Sequence, residues 1–105
     1  MNRLKGFQRK YLRRLAHGMK PVVFIGQKGY TDTVIQAIDN ALLKHELIKV
    51  KFVDFKDKSK KNEIIASIEE KTGGEQVGML GHISILYREN TDPEQRRIIL
   101  PASKP

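Results

Sequence analysis

No aspartate or glutamate occurs before Asp32, and no cysteine occurs anywhere in the 105 residues. The missing thiols exclude disulfides and thiolate metal centres and fit a reducing compartment. No apolar run is long enough to cross a bilayer, and the N-terminus lacks the apolar core of a signal peptide. Met1 to Lys20 is basic but poor in serine, which argues against a mitochondrial address. The expected compartment is therefore the cytoplasm. The early absence of acids is the most informative of these gaps. Eight cations, Arg3, Lys5, Arg9, Lys10, Arg13, Arg14, Lys20 and Lys28, precede Asp32, and the remaining cations equal the 12 acids. The whole formal charge of +8 thus resides in less than a third of the chain. A one-sided positive field of this kind, with a pI of about 9.9, points to a polyanion as partner.

The length suits one small domain, and apolar residues at 39% in periodic runs suffice for a modest core. Residues 3 to 17 read as an amphipathic helix, with Leu4, Phe7, Tyr11, Leu12 and Leu15 on one side and the arginines and lysines opposite. No acid is interleaved, so the i,i+4 pairs Arg9/Arg13 and Lys10/Arg14 repel without compensation. A helix that tolerates such repulsion is expected to meet phosphate. His17-Gly18 should end it, glycine supplying a left-handed cap. Val22 to Ile25 is a continuous apolar run and reads as a strand buried on both faces. Thr31 or Asp32 then caps a second helix with Val34, Ile35, Ile38, Ala41 and Leu42 at helical spacing.

Glu46 to Phe55 alternates as a strand, Ile48, Val50 and Phe52 facing one way and Lys49 and Lys51 the other. A lysine-rich solvated turn, Lys56 to Lys61, precedes a third helix near Glu63 to Thr72, stopped by Gly73-Gly74. Gln76 to Leu80 and Ile83 to Arg88 flank Gly81-His82 as a hairpin. The order α-β-α-β-α-β-β predicts a single α/β domain with a mixed four-stranded sheet packed with three helices, the hairpin adding an antiparallel edge. Residues 1–90 form that domain, and 91–105 form a tail, partly docked, with Ile98 to Leu100 as the docking segment.

Between the first strand and the second helix lies Gly26-Gln27-Lys28-Gly29, followed by Tyr30 and Thr31. Two glycines three apart let the backbone turn sharply and present N–H groups at a helix N-terminus, where an anion gains hydrogen bonds and field. This is neither a Walker A loop nor a dinucleotide fingerprint. By itself a Gly-x-x-Gly is more often an ordinary strand-to-helix turn. Its place in the acid-free third of the chain, next to the basic helix, favours nucleotide backbone as the ligand, and the same spacing clamps nucleotides in KH domains.

Leu15-Ala16-His17 with Lys20-Pro21-Val22-Val23, then Ile25-Gly26-Gln27-Lys28-Gly29 with Thr31, resemble the CRM (chloroplast RNA splicing and ribosome maturation) domain. So do His45-Glu46-Leu47-Ile48-Lys49-Val50 and Gly81-His82 followed by Leu86-Tyr87-Arg88. The chain looks like the free-standing bacterial, YhbY-like form, from about Leu4 to Arg88, with a looser echo at Arg97 to Pro101. That resemblance implies an RNA-binding protein associated with precursors of the large ribosomal subunit. It also implies a fold similar to the C-terminal domain of translation initiation factor three, and RNA backbone contacts at Gly26, Gln27, Lys28 and Gly29 beside the basic helix. The Gly-x-x-Gly here follows a strand rather than joining two helices, unlike that of a true KH domain.

The RNA-binding candidates are accordingly Gly26, Gln27, Lys28, Gly29, Arg9, Lys10, Arg13, Arg14, Lys20, Tyr30, Lys49 and Lys51. For Lys49 and Lys51 simple solubilisation of an open sheet face stays an equal alternative, and Tyr30 either stacks on a base or packs. His17, His45 and His82 form no pair at metal-ligand spacing and read as structural, so no metal or cofactor is expected. The competing reading is a nuclease using His17 or His82 as general acid–base with Lys28 stabilising charge, but no carboxylate cluster or nucleophile–base pair accompanies them. A membrane-surface helix would need apolar residues free to insert, and Leu4, Phe7 and Tyr11 are needed by the core. A monomer is expected.

Overall fold

Thr31 caps a helix: its Oγ1 accepts from the Val34 N–H at 3.2 Å, opening α2 (Asp32–His45). In this computed structural model, which describes residues 4–54 and 57–102, the remaining elements are α1 (Gly6–Ala16), β1 (Val23–Ile25), β2 (Leu47–Phe52), α3 (Lys58–Thr72), β3 (Glu75–Leu80) and β4 (Ile83–Tyr87), with a short 3-10 turn at Pro93–Gln95. Arg3, Phe55, Lys56 and Pro105, each given a place from sequence, lie outside the described residues.

The expected order of elements is the observed one. The strands line up as β1-β2-β4-β3, with β1 and β2 parallel and β4 antiparallel to both of its neighbours. The antiparallel strand of the hairpin is therefore interior, and β3 forms the edge. Period-two alternation divides the side chains between two cores. On one face Val23, Ile25, Ile48, Val50, Phe52 and Leu86 meet Ile38 and Leu42 of α2 and Ile64, Ile65 and Ile68 of α3. On the other, Leu47, Val77, Ile85 and Tyr87 meet Leu12 and Ala16 of α1, with Ile98 and Leu100 of the tail packed alongside.

Several local expectations fail for identifiable reasons. β1 is not buried on both faces: it is a short edge strand, and Phe24 is 57% exposed on the side away from α2 and α3. Gly18 makes no left-handed cap, since α1 ends at His17 in right-handed geometry and positive φ among glycines occurs at Gly29, Gly73 and Gly81. Leu15 is 43% exposed while Ala16 is fully buried, so the seam of α1 runs through Leu12 and Ala16 instead. From Lys58 onward the lysine-rich stretch is helix rather than turn. Asp57 accepts from the Ser59 and Lys60 N–H groups and so starts α3 at Lys58. That places Lys61 inside, 5% exposed, with Nζ donating to the Gly81 carbonyl at 3.4 Å and to His82 Nδ1 at 3.1 Å.

Glu46, the junction between α2 and β2, is fully buried and has a φ of +65°. A non-glycine residue in that region needs fixing by its surroundings. Its carboxylate accepts from Asn90 N at 2.7 Å, Arg97 N at 2.6 Å and Ile98 N at 3.0 Å. One side chain thereby anchors the tail to the end of the sheet where β2 begins.

Candidate nucleic-acid interface

The Gly26–Gly29 segment is a tight turn in which the Gly29 N–H donates to the Gly26 carbonyl at 2.9 Å. Gly29 has a φ of +72°, and a Cβ there would stand 3.6 Å from Ile64 Cδ1, so the turn leans on α3. Not all of its amides are available. The Gly29 N–H is spent inside the turn, Thr31 takes one α2 donor, and Asp32 already supplies a carboxylate to the first turn of that helix. Among the described residues the Gln27 and Lys28 N–H groups have no acceptor in the chain. The exposed Lys28 side chain adds a charge to those two amides, and the Gly26 and Tyr30 N–H groups are likewise without an acceptor among the described residues.

Between the turn and α3 is an open groove of about 560 Å³, where Lys28 and Tyr30 face Lys60, Glu63 and Ser67. Tyr30 stays 42% exposed, and Lys71 Nζ lies 6.0 Å from its ring centroid, at the outer limit of a cation–π contact. The groove places Lys60, read from sequence as part of a solvated turn, beside the loop.

The four cations of α1 divide into two pairs. Arg9 Nη2 meets Glu75 Oε2 at 2.9 Å, and Arg13 Nη1 donates to the Val77 carbonyl at 2.8 Å. Val77 sits where β3 shifts register between Gln76 and Gly78. A bulge leaves a carbonyl outside the ladder, and Arg13 satisfies it. Lys10 and Arg14 are exposed and their side chains have no partner among the described residues. The same holds for Lys20, ahead of β1, and for Lys51. Lys49 is half-buried and its Nζ donates to the His17 carbonyl at 3.4 Å. Both β2 lysines point to the α1 side of the sheet, away from Ile48, Val50 and Phe52.

Helix α1 lies on the face opposite α3, whereas the loop rests on α3 at the far end of β1. The basic helix and the glycine turn therefore do not form the single cradle that their closeness in sequence suggests. An open strip of sheet separates them, and Phe24 and Lys51 stand on it, paired in register. Phe24 escaped sequence reasoning because an apolar run on an edge strand looks the same as one in a sheet centre.

At the opposite end of the sheet, the Tyr87 hydroxyl is buried without a hydrogen-bond partner among the described residues. Burial, with the carboxylates of Glu46 and Glu89 nearby, pushes its pKa up to about 12 against the opposing effect of Arg96. No group of three His, Cys, Asp or Glu residues able to hold a metal occurs among the described residues. No helix among them is long and apolar enough to cross a membrane.

These features can be set beside known proteins. A protein of Haemophilus influenzae named RNA-binding protein is 44% identical over 101 residues, covering 96% of this chain and 98% of that one. The probable RNA-binding protein YqeI of Bacillus subtilis is 32% identical over 98 residues, covering 93% and 99% respectively. The solution structure of a hypothetical Staphylococcus aureus protein, SAV1595, superposes with a TM-score of 0.80 at 35% identity, covering 94% of this chain and 100% of that chain. The model of the CRS1 / YhbY (CRM) domain matches residues 4–88, and with it the chain belongs to the CRS1/YhbY (CRM) domain family.

Proposed function

We propose that this protein binds RNA without cleaving it, within precursors of the large ribosomal subunit in the cytoplasm, as a monomer. The observation that carries the reading is the set of cations unpaired among the described residues, Lys28 and Lys51 with Lys60 beside them, around a turn whose Gln27 and Lys28 amides lack acceptors there. The names of the relatives support RNA as the polyanion. Lysine and arginine neutralise phosphates and release counterions, and the turn fixes register on the backbone. Lys10, Arg14 and Lys20 extend the contact on the α1 side, and Arg9 and Arg13 hold the scaffold on which it is built. His82 is poorly placed for acid–base work, because an ammonium can only donate and Lys61 Nζ therefore occupies Nδ1 as an acceptor.

The test is retention of labelled ribosomal RNA by the purified protein across a salt series. With six to eight phosphates engaged, the log–log slope should lie near roughly −4 to −7, and the RNA should remain intact with or without magnesium. Gly26→Asp places a negative charge on the turn where an added Cβ meets nothing within 4 Å, so retention should be lost while thermal stability stays close to the parent. Salt-independent binding, cleavage, or full retention by Gly26→Asp would refute the reading. Crosslinking in cells followed by sequencing of the attached RNA tests the ribosomal assignment.

A further inference from the structure

On the face that α1 crosses, the helix leaves the loop end of the sheet uncovered. The aliphatic stem of Arg13 lies over Gly78, where an added Cβ would come within 2.7 Å of its Cδ. The next complete row toward the loop consists of Phe24, Lys51, Ile83 and Leu80, successive register partners across β1, β2, β4 and β3. Phe24 is 57% and Leu80 80% exposed, and Lys51 between them is exposed and unpaired among the described residues. Three strand spacings separate the ends of the row, about 14 Å.

We propose that this row is a stacking floor for unpaired bases of single-stranded RNA, with the Phe24 ring under a base and Lys51 on a neighbouring phosphate. The inference deepens the RNA-binding reading and rests on it. Charge selects the occupant: Val22 and the strand residues Phe24, Lys49, Lys51, Ile83 and Leu80 on this side include two cations, Lys49 half-buried on the His17 carbonyl and Lys51 exposed, and no acid. A second copy of the chain laid on the strip would bring lysine against lysine. A flat ring beside an unpaired cation matches the alternation of base and phosphate along an unpaired strand. The row is also continuous with the backbone-binding turn, because Phe24 precedes Gly26 by two residues. A strand gripped at the turn would lay its next bases on the sheet, and a rigid duplex could not.

The chain contains no tryptophan, so Phe24→Trp creates a lone fluorescent reporter at the proposed contact. Its emission should be quenched as a short unpaired oligoribonucleotide binds, and should stay unchanged when a duplex of the same length binds. Phe24→Ala should lose about tenfold in affinity for the unpaired strand, as expected for one lost base–aromatic stack. Its salt slope, duplex affinity and thermal stability should match the parent, since the ring is mostly outside the core. Parental affinity of Phe24→Ala for the unpaired strand, or unquenched tryptophan at saturation, would overturn the stacking floor while leaving salt-dependent RNA binding intact. Failure of the parent to retain either RNA would overturn both readings. A dimer in sedimentation that Phe24→Ala dissociates would assign the row to a second copy instead.

Discussion

Apart from Lys61, which is held on Gly81 and His82, the two ends of one sheet use their cations in opposite ways. Where β3 begins and β4 finishes, Arg9 pairs with Glu75, Arg88 with Asp39 and Arg96 with Glu89. Arg88 Nη1 also donates to the Thr72 carbonyl at 2.8 Å, tying the hairpin to the end of α3. At the loop end, Lys28, Lys51 and Lys60 make no ion pair among the described residues. A cation beside an acid or an orphaned carbonyl fastens the fold. One that pairs with no acid is left to be stabilised by an anion from outside. The sharpest instance is a pair of sequence neighbours, Arg13 locked on the Val77 carbonyl and Arg14 without a partner among the described residues.

The largest effect should come from attacking the fastened end. Glu46→Ala strands three backbone donors that now share one carboxylate, costing about 3 kcal/mol and lowering Tm by about 15 °C. Protein that remains folded should still retain RNA, and calorimetry with a binding assay at low temperature checks both halves. Next is the free end. Lys28→Glu combined with Lys51→Glu should weaken RNA retention by about 100-fold and reduce the salt slope by about 2, with Tm unaltered. A Tm loss instead would mean that these lysines are fasteners too.

Arg13→Ala and Arg14→Ala sharpen the contrast at single-residue resolution. The former should cost about 1–2 kcal/mol of stability because a bulge carbonyl loses its partner. The latter should leave unfolding unchanged and lower RNA affinity about threefold, one phosphate contact's worth. A separate effect concerns pH. Tyr87 titrates near 12 in the fold against 10.0 when unperturbed, so the unfolded chain releases that proton first as pH rises. Stability from the neutral hydroxyl is complete below pH 10 and should drain away between about pH 10 and 12. Tyr87→Phe should abolish that slope in urea unfolding, and an unchanged slope would place the ionisation elsewhere.

Much of this molecule is legible in the order of its residues. The Thr31 cap, the α2 and α3 apolar stripes and the Gly73 stop are local signals, and each appears where the pattern puts it. The β2 alternation holds over Leu47–Phe52, while Glu46, expected in that strand, caps α2 instead. What escapes is set by partners distant in the chain. Whether Arg13 is free depends on a carbonyl 64 positions away. Whether Phe24 is buried depends on which strand takes the sheet edge, and an apolar run is silent on that. The Lys61 ammonium is drawn inside by Gly81 and His82, residues of a different element. The same limit governs the candidate site: the glycine turn is visible as a spacing, whereas the separation of turn from helix by a strip of sheet exists only in three dimensions.

The most direct trial is to photocrosslink the protein to bound RNA and map the adducted residues by mass spectrometry. Adducts should concentrate at Phe24, Lys28 and Lys51, with weaker ones at Lys10 and Arg14. Adducts at Arg9, Arg88 and Arg96, with none around the glycine turn, would contradict the division between a fastened end and a binding end.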